Sequence, residues 1–199
     1  MRGLFVTFEG IDRSGKTTQA GLLVDALGAD ALGVREPGGT PAGEQLRAVL
    51  KDPDIPVSPE TEALLFAAAR SQLVSDVVLP ALETGKVVVS DRFLDSSLAY
   101  QGGARGLGIE DVERVNHFAT RGLRPDLTFL LDLSPADAAA RVGESDRFEN
   151  EGAELQAAVG AAYERLVRAD PARWRRIDAT RSPEEVHADV LAAVEAARE

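Results

Sequence analysis

The stretch Leu4–Thr18, LFVTFEGIDRSGKTT, decides the fold. An apolar run from Leu4 to Phe8 ends at Glu9 and delivers a loop that fits Gly-x-x-x-x-Gly-Lys-[Ser/Thr], with Gly10, Gly15, Lys16 and Thr17 in register. That spacing lets a strand turn back into a helix while its backbone N–H groups point inward at a polyphosphate, an approach that a Cβ would obstruct. Lys16 can reach the β- and γ-phosphates as a point charge, the Thr17 hydroxyl can ligate Mg²⁺, and the following helix offers its positive N-terminus. Leu22, Leu23, Ala26 and Leu27 give that helix an apolar face, so the motif has the strand before it and the helix after it that it requires.

Working outward, 199 residues are most simply a single domain, 1–199, large enough for a central sheet covered on both faces. The formal charge of −11, from 33 acidic and 22 basic side chains, argues against a broad nucleic-acid or anionic-membrane surface. An anionic ligand must then be met by a local cluster of Arg. With no Cys, disulfides, thiolate metal sites and a Cys nucleophile are excluded. The chain runs from Met1-Arg2-Gly3 straight into the first strand without a signal-type stretch, and no run of about 20 apolar residues is read along it, so the expected compartment is the cytoplasm.

Helix signals and β-branched runs alternate after the loop. Strands are expected at 31–35, 86–90, 127–133 and 174–178, and helices at 16–28, 42–50, 60–83, 94–101, 109–122, 151–168 and from 183 to the C-terminus, with Ser134-Pro135 opening a further one. Glu36-Pro37-Gly38-Gly39-Thr40 must be a turn, and Ser58-Pro59 and Ser182-Pro183-Glu184-Glu185 read as helix starts. Such alternation implies an α/β fold with a parallel sheet and a ligand site at the carboxyl ends of the strands. The Val87-Val88-Val89 strand delivers Asp91-Arg92 to that edge.

A phosphate loop alone leaves open a switch GTPase, a motor or partition ATPase, and a small-molecule kinase. No Asn-Lys-x-Asp run occurs, which a guanine-selective GTPase should carry. Asp91-Arg92 instead puts a carboxylate for the Mg²⁺ shell beside a guanidinium that can bridge two phosphates bidentately, which suits transfer between anions.

Six ordered segments resemble the thymidylate kinases, which phosphorylate dTMP to dTDP from ATP: FEGIDRSGKTTQ at 8–19, REPGGTPAGEQLR at 35–47, LLFAAAR at 64–70, DRFLDSSLAYQGG at 91–103, PDLTFLLDL at 125–133 and ESDRFE at 144–149. The resemblance implies a P-loop NTPase fold, with a five-stranded parallel sheet flanked by helices, a P-loop at 10–18 and a short lid at about 143–150. It implies Mg²⁺ with ATP, direct in-line transfer and a homodimer. The ATP site would comprise Gly10, Ile11, Asp12, Arg13, Ser14, Gly15, Lys16, Thr17 and Thr18, with Arg141 and Arg181 near adenine; Thr17 and Asp91 would serve the metal. For dTMP, Phe66 would stack on the base, Arg70 read its carbonyl edge, Ser97 and Gln101 contact base and sugar, and Tyr100 crowd C2′. Arg47 and Arg92 would hold the acceptor phosphate, with Asp12 near the 3′-hydroxyl and Glu36 bordering the same region.

The chain departs from many bacterial members in two places, with Arg13 where the P-loop usually has Gly, and Val142 where the lid usually has Arg before its Gly. The two changes compensate, in an arrangement similar to the eukaryotic branch. Arg13, Lys16, Arg92 and Arg147 are therefore the expected catalytic set. The rivals are another nucleoside monophosphate kinase and a non-catalytic P-loop ATPase that binds a protein partner; the second predicts ATP hydrolysis insensitive to dTMP.

Overall fold

The computed structural model describes residues 2–141 and 152–198. Five strands, β1 (Phe5–Glu9), β2 (Ala31–Arg35), β3 (Val87–Asp91), β4 (Leu127–Asp132) and β5 (Trp174–Asp178), form one parallel sheet in the order β2-β3-β1-β4-β5. The sheet and its order fit the expected P-loop architecture. Every residue of β1 is buried, as a central parallel strand covered on both faces requires. Phe8 stacks on Phe129 of β4 at 5.2 Å, and Phe5 meets Phe93 edge-on at 4.8 Å. A buried Thr7–Thr128 hydroxyl pair, 3.0 Å apart, ties the same two strands.

The helices are α1 (Lys16–Leu27), α2 (Pro41–Lys51), α3 (Pro59–Glu83), α4 (Leu94–Ser97, continuing as a π-helix over Leu98–Ala104), α5 (Ile109–Thr120), α6 (Pro135–Ala140), α7 (Gly152–Ala169) and α8 (Pro183–Arg198). Thr40, Ser58 and Ser134 cap α2, α3 and α6, each followed by a proline in the first turn. Ser182 and Glu185 exchange the reciprocal bonds of a capping box, 3.3 and 3.0 Å, at the start of α8. α1 and α8 pack together against the sheet, while α4 packs between α5 and α7.

Two elements differ from the sequence reading. The long helix is not uniform: Val74–Val78 is a π-turn between α-helical segments. The expected 94–101 helix is α-helical only to Ser97 and widens to a π-helix through Ala104. Gly102 and Gly103 make the widening possible, because a Cβ would stand 3.0 Å from the Ile109 Cα and 2.5 Å from the Ala162 Cβ, respectively. Among the apolar residues of α3, Leu73 and Val78 are wholly in the core, whereas Leu64 is 57% exposed.

By length and composition α3 could cross a membrane, contrary to the expectation that no such segment occurs. It packs against α2 and α5 and turns Glu62 and Arg70 inward.

Candidate functional site

The carboxyl ends of β1 and β3 lie side by side, Phe8 in register with Asp91, and from them rise the P-loop and the Asp91-Arg92 corner. Gly10 and Gly15 take positive φ angles of 141° and 99°, and a Cβ on Gly10 would lie 2.7 Å from the Leu131 carbonyl oxygen. Ile11 and Ser14 are buried beneath the loop, and Thr18 is exposed on the first turn of α1. Lys16 Nζ donates to the Ile11 carbonyl at 2.6 Å and to Ser14 Oγ at 3.2 Å. Burial, then the Arg92 charge, pushes the Lys16 ammonium down to about 8.

Thr17 Oγ1 donates to Asp91 Oδ2 at 2.5 Å. A hydroxyl and a carboxylate at this point fit Mg²⁺, which takes hard oxygen ligands. Among the described residues no group of three or more His, Cys, Asp or Glu is placed to form a complete protein cage.

A cavity of about 310 Å³ opens beside the loop, lined by Asp12, Arg13, Lys16, Thr17, Glu36, Arg47, Phe66, Arg70, Asp91, Arg92, Ser97, Tyr100 and Gln101. All of these were expected from the sequence, and chain segments far apart supply them. Arg92, itself at φ 70°, ion-pairs with Asp12, donates to Ser96 Oγ at 3.0 Å and to the Gly10 carbonyl at 3.3 Å, and lies 5.2 Å over the Tyr100 ring. Burial pushes the Asp12 carboxyl up, but the Arg92 and Lys16 charges outweigh it and hold the group below its usual range. Arg47 donates to the Pro37 carbonyl at 2.7 Å, across a turn whose Glu36–Pro37 peptide is cis. Glu36 pairs with Arg70 at 2.6 Å, both side chains almost fully buried, and burial raises its carboxyl against the opposing Arg70 charge.

Arg13 sits at φ 61° and donates to the Arg141 carbonyl at 3.1 Å, while Arg141 Nη1 donates to the Arg13 carbonyl at 3.1 Å. Arg141 also donates to the Ala179 carbonyl, so it joins the P-loop to the loop after β5. Arg181 is not brought to the cavity. It lies exposed, paired with Asp189 at 2.5 Å and donating to the Glu185 carbonyl at 3.3 Å. Arg147 and the expected lid lie outside the described residues.

Several supporting residues escaped the sequence reading. Arg35, Lys51 and Ser96 line the cavity. Gln156 of α7 grips Asp12 twice, accepting from its N–H at 3.1 Å and donating to its carboxylate at 2.8 Å. Asn116 accepts from Arg70. Arg35 and Ser96 adjoin motif residues and were findable; Gln156 and Asn116 are single polar residues in helices with no local signal.

Glu9 is the most deeply placed of these. It accepts from the Phe93 N–H at 2.8 Å, from Ser96 Oγ at 2.6 Å and from the Tyr163 hydroxyl at 2.8 Å, beneath the Arg92 corner. Burial, reinforced by the Asp95 charge and opposed by Ser96, Arg92 and Tyr163, raises its carboxyl from 4.5 to about 7. A carboxyl raised on folding contributes stability that is fully present below the unfolded value of 4.5 and is lost as pH rises through about 7. Melting temperatures of wild type and Glu9→Gln should therefore diverge in pH dependence, the difference (wild type minus variant) falling between pH 4.5 and 7. A constant difference across that window would contradict the raised carboxyl.

A P-loop on the central strand, a carboxylate–guanidinium corner on its neighbour and an Arg-lined cavity reaching out from them define a nucleotide kinase of the P-loop class. The family model described as thymidylate kinase matches residues 8–190. Proteins named thymidylate kinase are 47% identical over 196 residues in Thermoanaerobacter pseudethanolicus (96% of this chain, 97% of that one), 48% over 200 in Caldanaerobacter subterraneus subsp. tengcongensis (98% and 96%) and 50% over 198 in Symbiobacterium thermophilum (96% and 92%). The chain belongs to the thymidylate kinase family.

Proposed function

We propose that this chain performs the family's reaction with the groups just described: ATP-dependent phosphorylation of dTMP to dTDP, by direct in-line transfer. ATP phosphates would occupy the loop Gly10–Thr18, with Mg²⁺ served by Thr17 and Asp91, directly or through water. dTMP would lie in the cavity, its base against Phe66, Arg70, Ser97 and Gln101, its sugar near Tyr100, Asp12 and Glu36, and its phosphate between Arg47 and Arg92. Lys16, Arg13, Arg92 and Arg147 would stabilise the charge of the transferring group, and positioning supplies the rest. No general base is needed, because the acceptor phosphate is already anionic. Arg141 remains the candidate for the adenine side; the Asp189 and Glu185 contacts of Arg181 give that residue no support for the same role.

The observation that carries this reading is the convergence of Lys16 and Thr17 with Arg47, Phe66, Arg70 and Gln101 on one cavity, bridged by the Asp12–Arg92 pair. The deciding experiment is a panel of nucleoside monophosphates with Mg²⁺-ATP in a coupled ADP assay. ADP should form with dTMP, and chelating the Mg²⁺ should abolish it. ADP formation indifferent to dTMP would favour the partner-binding ATPase, and a different preferred monophosphate would favour another kinase of this class.

A homodimer is the proposed assembly. Leu64 of α3 and Phe118 of α5 are 57% and 87% exposed, two large apolar side chains on helices that pack together, which a second copy would take out of water. Light scattering tests it, a monomeric mass counting against it. We place the chain in the cytoplasm, with no nucleic-acid or membrane partner, on its strongly acidic charge balance.

A further inference from the structure

The deep end of the cavity has a hydrogen-bonding polarity set by the protein itself. Arg70 has five N–H donors and makes four hydrogen bonds to protein acceptors: Nε to Glu36 Oε2 (2.7 Å), Nη2 to the Phe93 carbonyl (3.1 Å), and Nη1 to Ser97 Oγ (3.0 Å) and to Asn116 Oδ1, while Nη2 also lies 2.6 Å from the same Glu36 oxygen in the ion pair. The Ser97 hydroxyl accepts from Arg70 and so keeps its own proton to donate.

Gln101, 1% exposed, donates Nε2 to Glu62 Oε1 at 2.9 Å. Glu62, 2% exposed, is met by Arg105 on both oxygens, Nε to Oε1 and Nη2 to Oε2, each at 3.2 Å. A carboxylate so gripped has no proton to give, and turning the Gln101 amide round would set its carbonyl against that carboxylate. The NH₂ of Gln101 is therefore committed to Glu62. Its Oε1 has no protein donor among the described residues and remains for the cavity, which Gln101 lines.

We propose that Glu62, held by Arg105, is a positioning residue that sets the enzyme's choice of pyrimidine. Fixing Gln101 with its carbonyl toward the base presents an acceptor beside the Ser97 hydroxyl donor. That pattern complements an imide edge, an N3–H flanked by carbonyls, as in thymine and uracil. Cytosine offers an acceptor at N3 and a donor at C4 and would leave buried polar groups opposed. The proposal rests on the reading that dTMP occupies this cavity.

Glu62→Gln tests it. A carboxamide of nearly the same size can meet Gln101 by donating or by accepting, so the Gln101 amide becomes free to turn. The ratio of kcat/KM for dTMP over dCMP should fall by about 10-fold or more, with kcat for dTMP kept within about threefold of wild type. A folded variant with an unchanged ratio overturns the proposal, whereas failure of wild type to phosphorylate dTMP overturns the underlying site reading instead. Should the variant not fold, NMR of the wild type decides. The assigned side-chain NH₂ of Gln101 should exchange slowly and keep its resonances when dTMP is added; a large dTMP-induced shift would put that NH₂ against the base and sink the idea.

Discussion

Arg92→Met should lower kcat/KM for dTMP by roughly 10³-fold while leaving the KM for ATP nearly unchanged. The guanidinium touches the P-loop through the Gly10 carbonyl, Asp12 by an ion pair, Ser96 and Tyr100 by hydrogen bonds and the Tyr100 ring by its face. On the proposed reading its loss would remove the cation between donor and acceptor phosphates, and it strands Asp12, whose side chain is 17% exposed, without its counter-charge. Arg92→Lys should recover little, because an ammonium cannot span those acceptors as a planar fork does. Steady-state kinetics with each substrate varied, alongside a melting curve, make the check. A loss under tenfold would remove Arg92 from the charge-stabilising set.

Arg13→Gly should separate chemistry from folding. With φ at 61°, residue 13 holds a backbone conformation that costs a side-chain-bearing residue about 1 kcal/mol and costs glycine almost nothing. The variant should melt at or near the wild-type temperature, since the relieved strain offsets the greater freedom of the unfolded chain. Its kcat at saturating substrates should nonetheless drop by roughly 10³-fold, with the KM for ATP little moved, if the guanidinium acts on the transition state. Unchanged kcat would mean that the residue's role is structural, as in its bond to the Arg141 carbonyl.

Much of this was legible in the chain because it is local. The strand, loop and helix of 4–27 follow from a contiguous motif, and the Ser-Pro helix starts at 58 and 134 and the capping box at 182 are written within four residues each. The β2 and β5 bounds agree with the reading for the same reason. What escaped is non-local. Gln101 meets Glu62 39 positions away, Arg70 meets Asn116 46 away, and Asp12 meets Gln156 144 away. No periodicity marks a polar residue whose partner lies on another helix, because such a residue reads as one more solvated position until the fold buries it. The π-helical turn of α4 was hidden likewise, since Gly102 and Gly103 reveal their use only against Ile109 and Ala162. The same blindness left the exposed Phe118 unnoticed.

Three of the cations in and around the cleft are paired with carboxylates. Arg92 is held by Asp12, Arg70 by Glu36 and Arg105 by Glu62, three couples in and around one cavity of an acidic protein. On the proposed reading, a phosphate arriving at Arg92 would meet a guanidinium already paired with Asp12 and would compete with that carboxylate for it. Binding there would be an exchange of anions, in which a bare inorganic anion, without base and sugar contacts as well, would gain little. Such a pre-paired guanidinium would favour a complete nucleotide over free phosphate, exchanging affinity for discrimination.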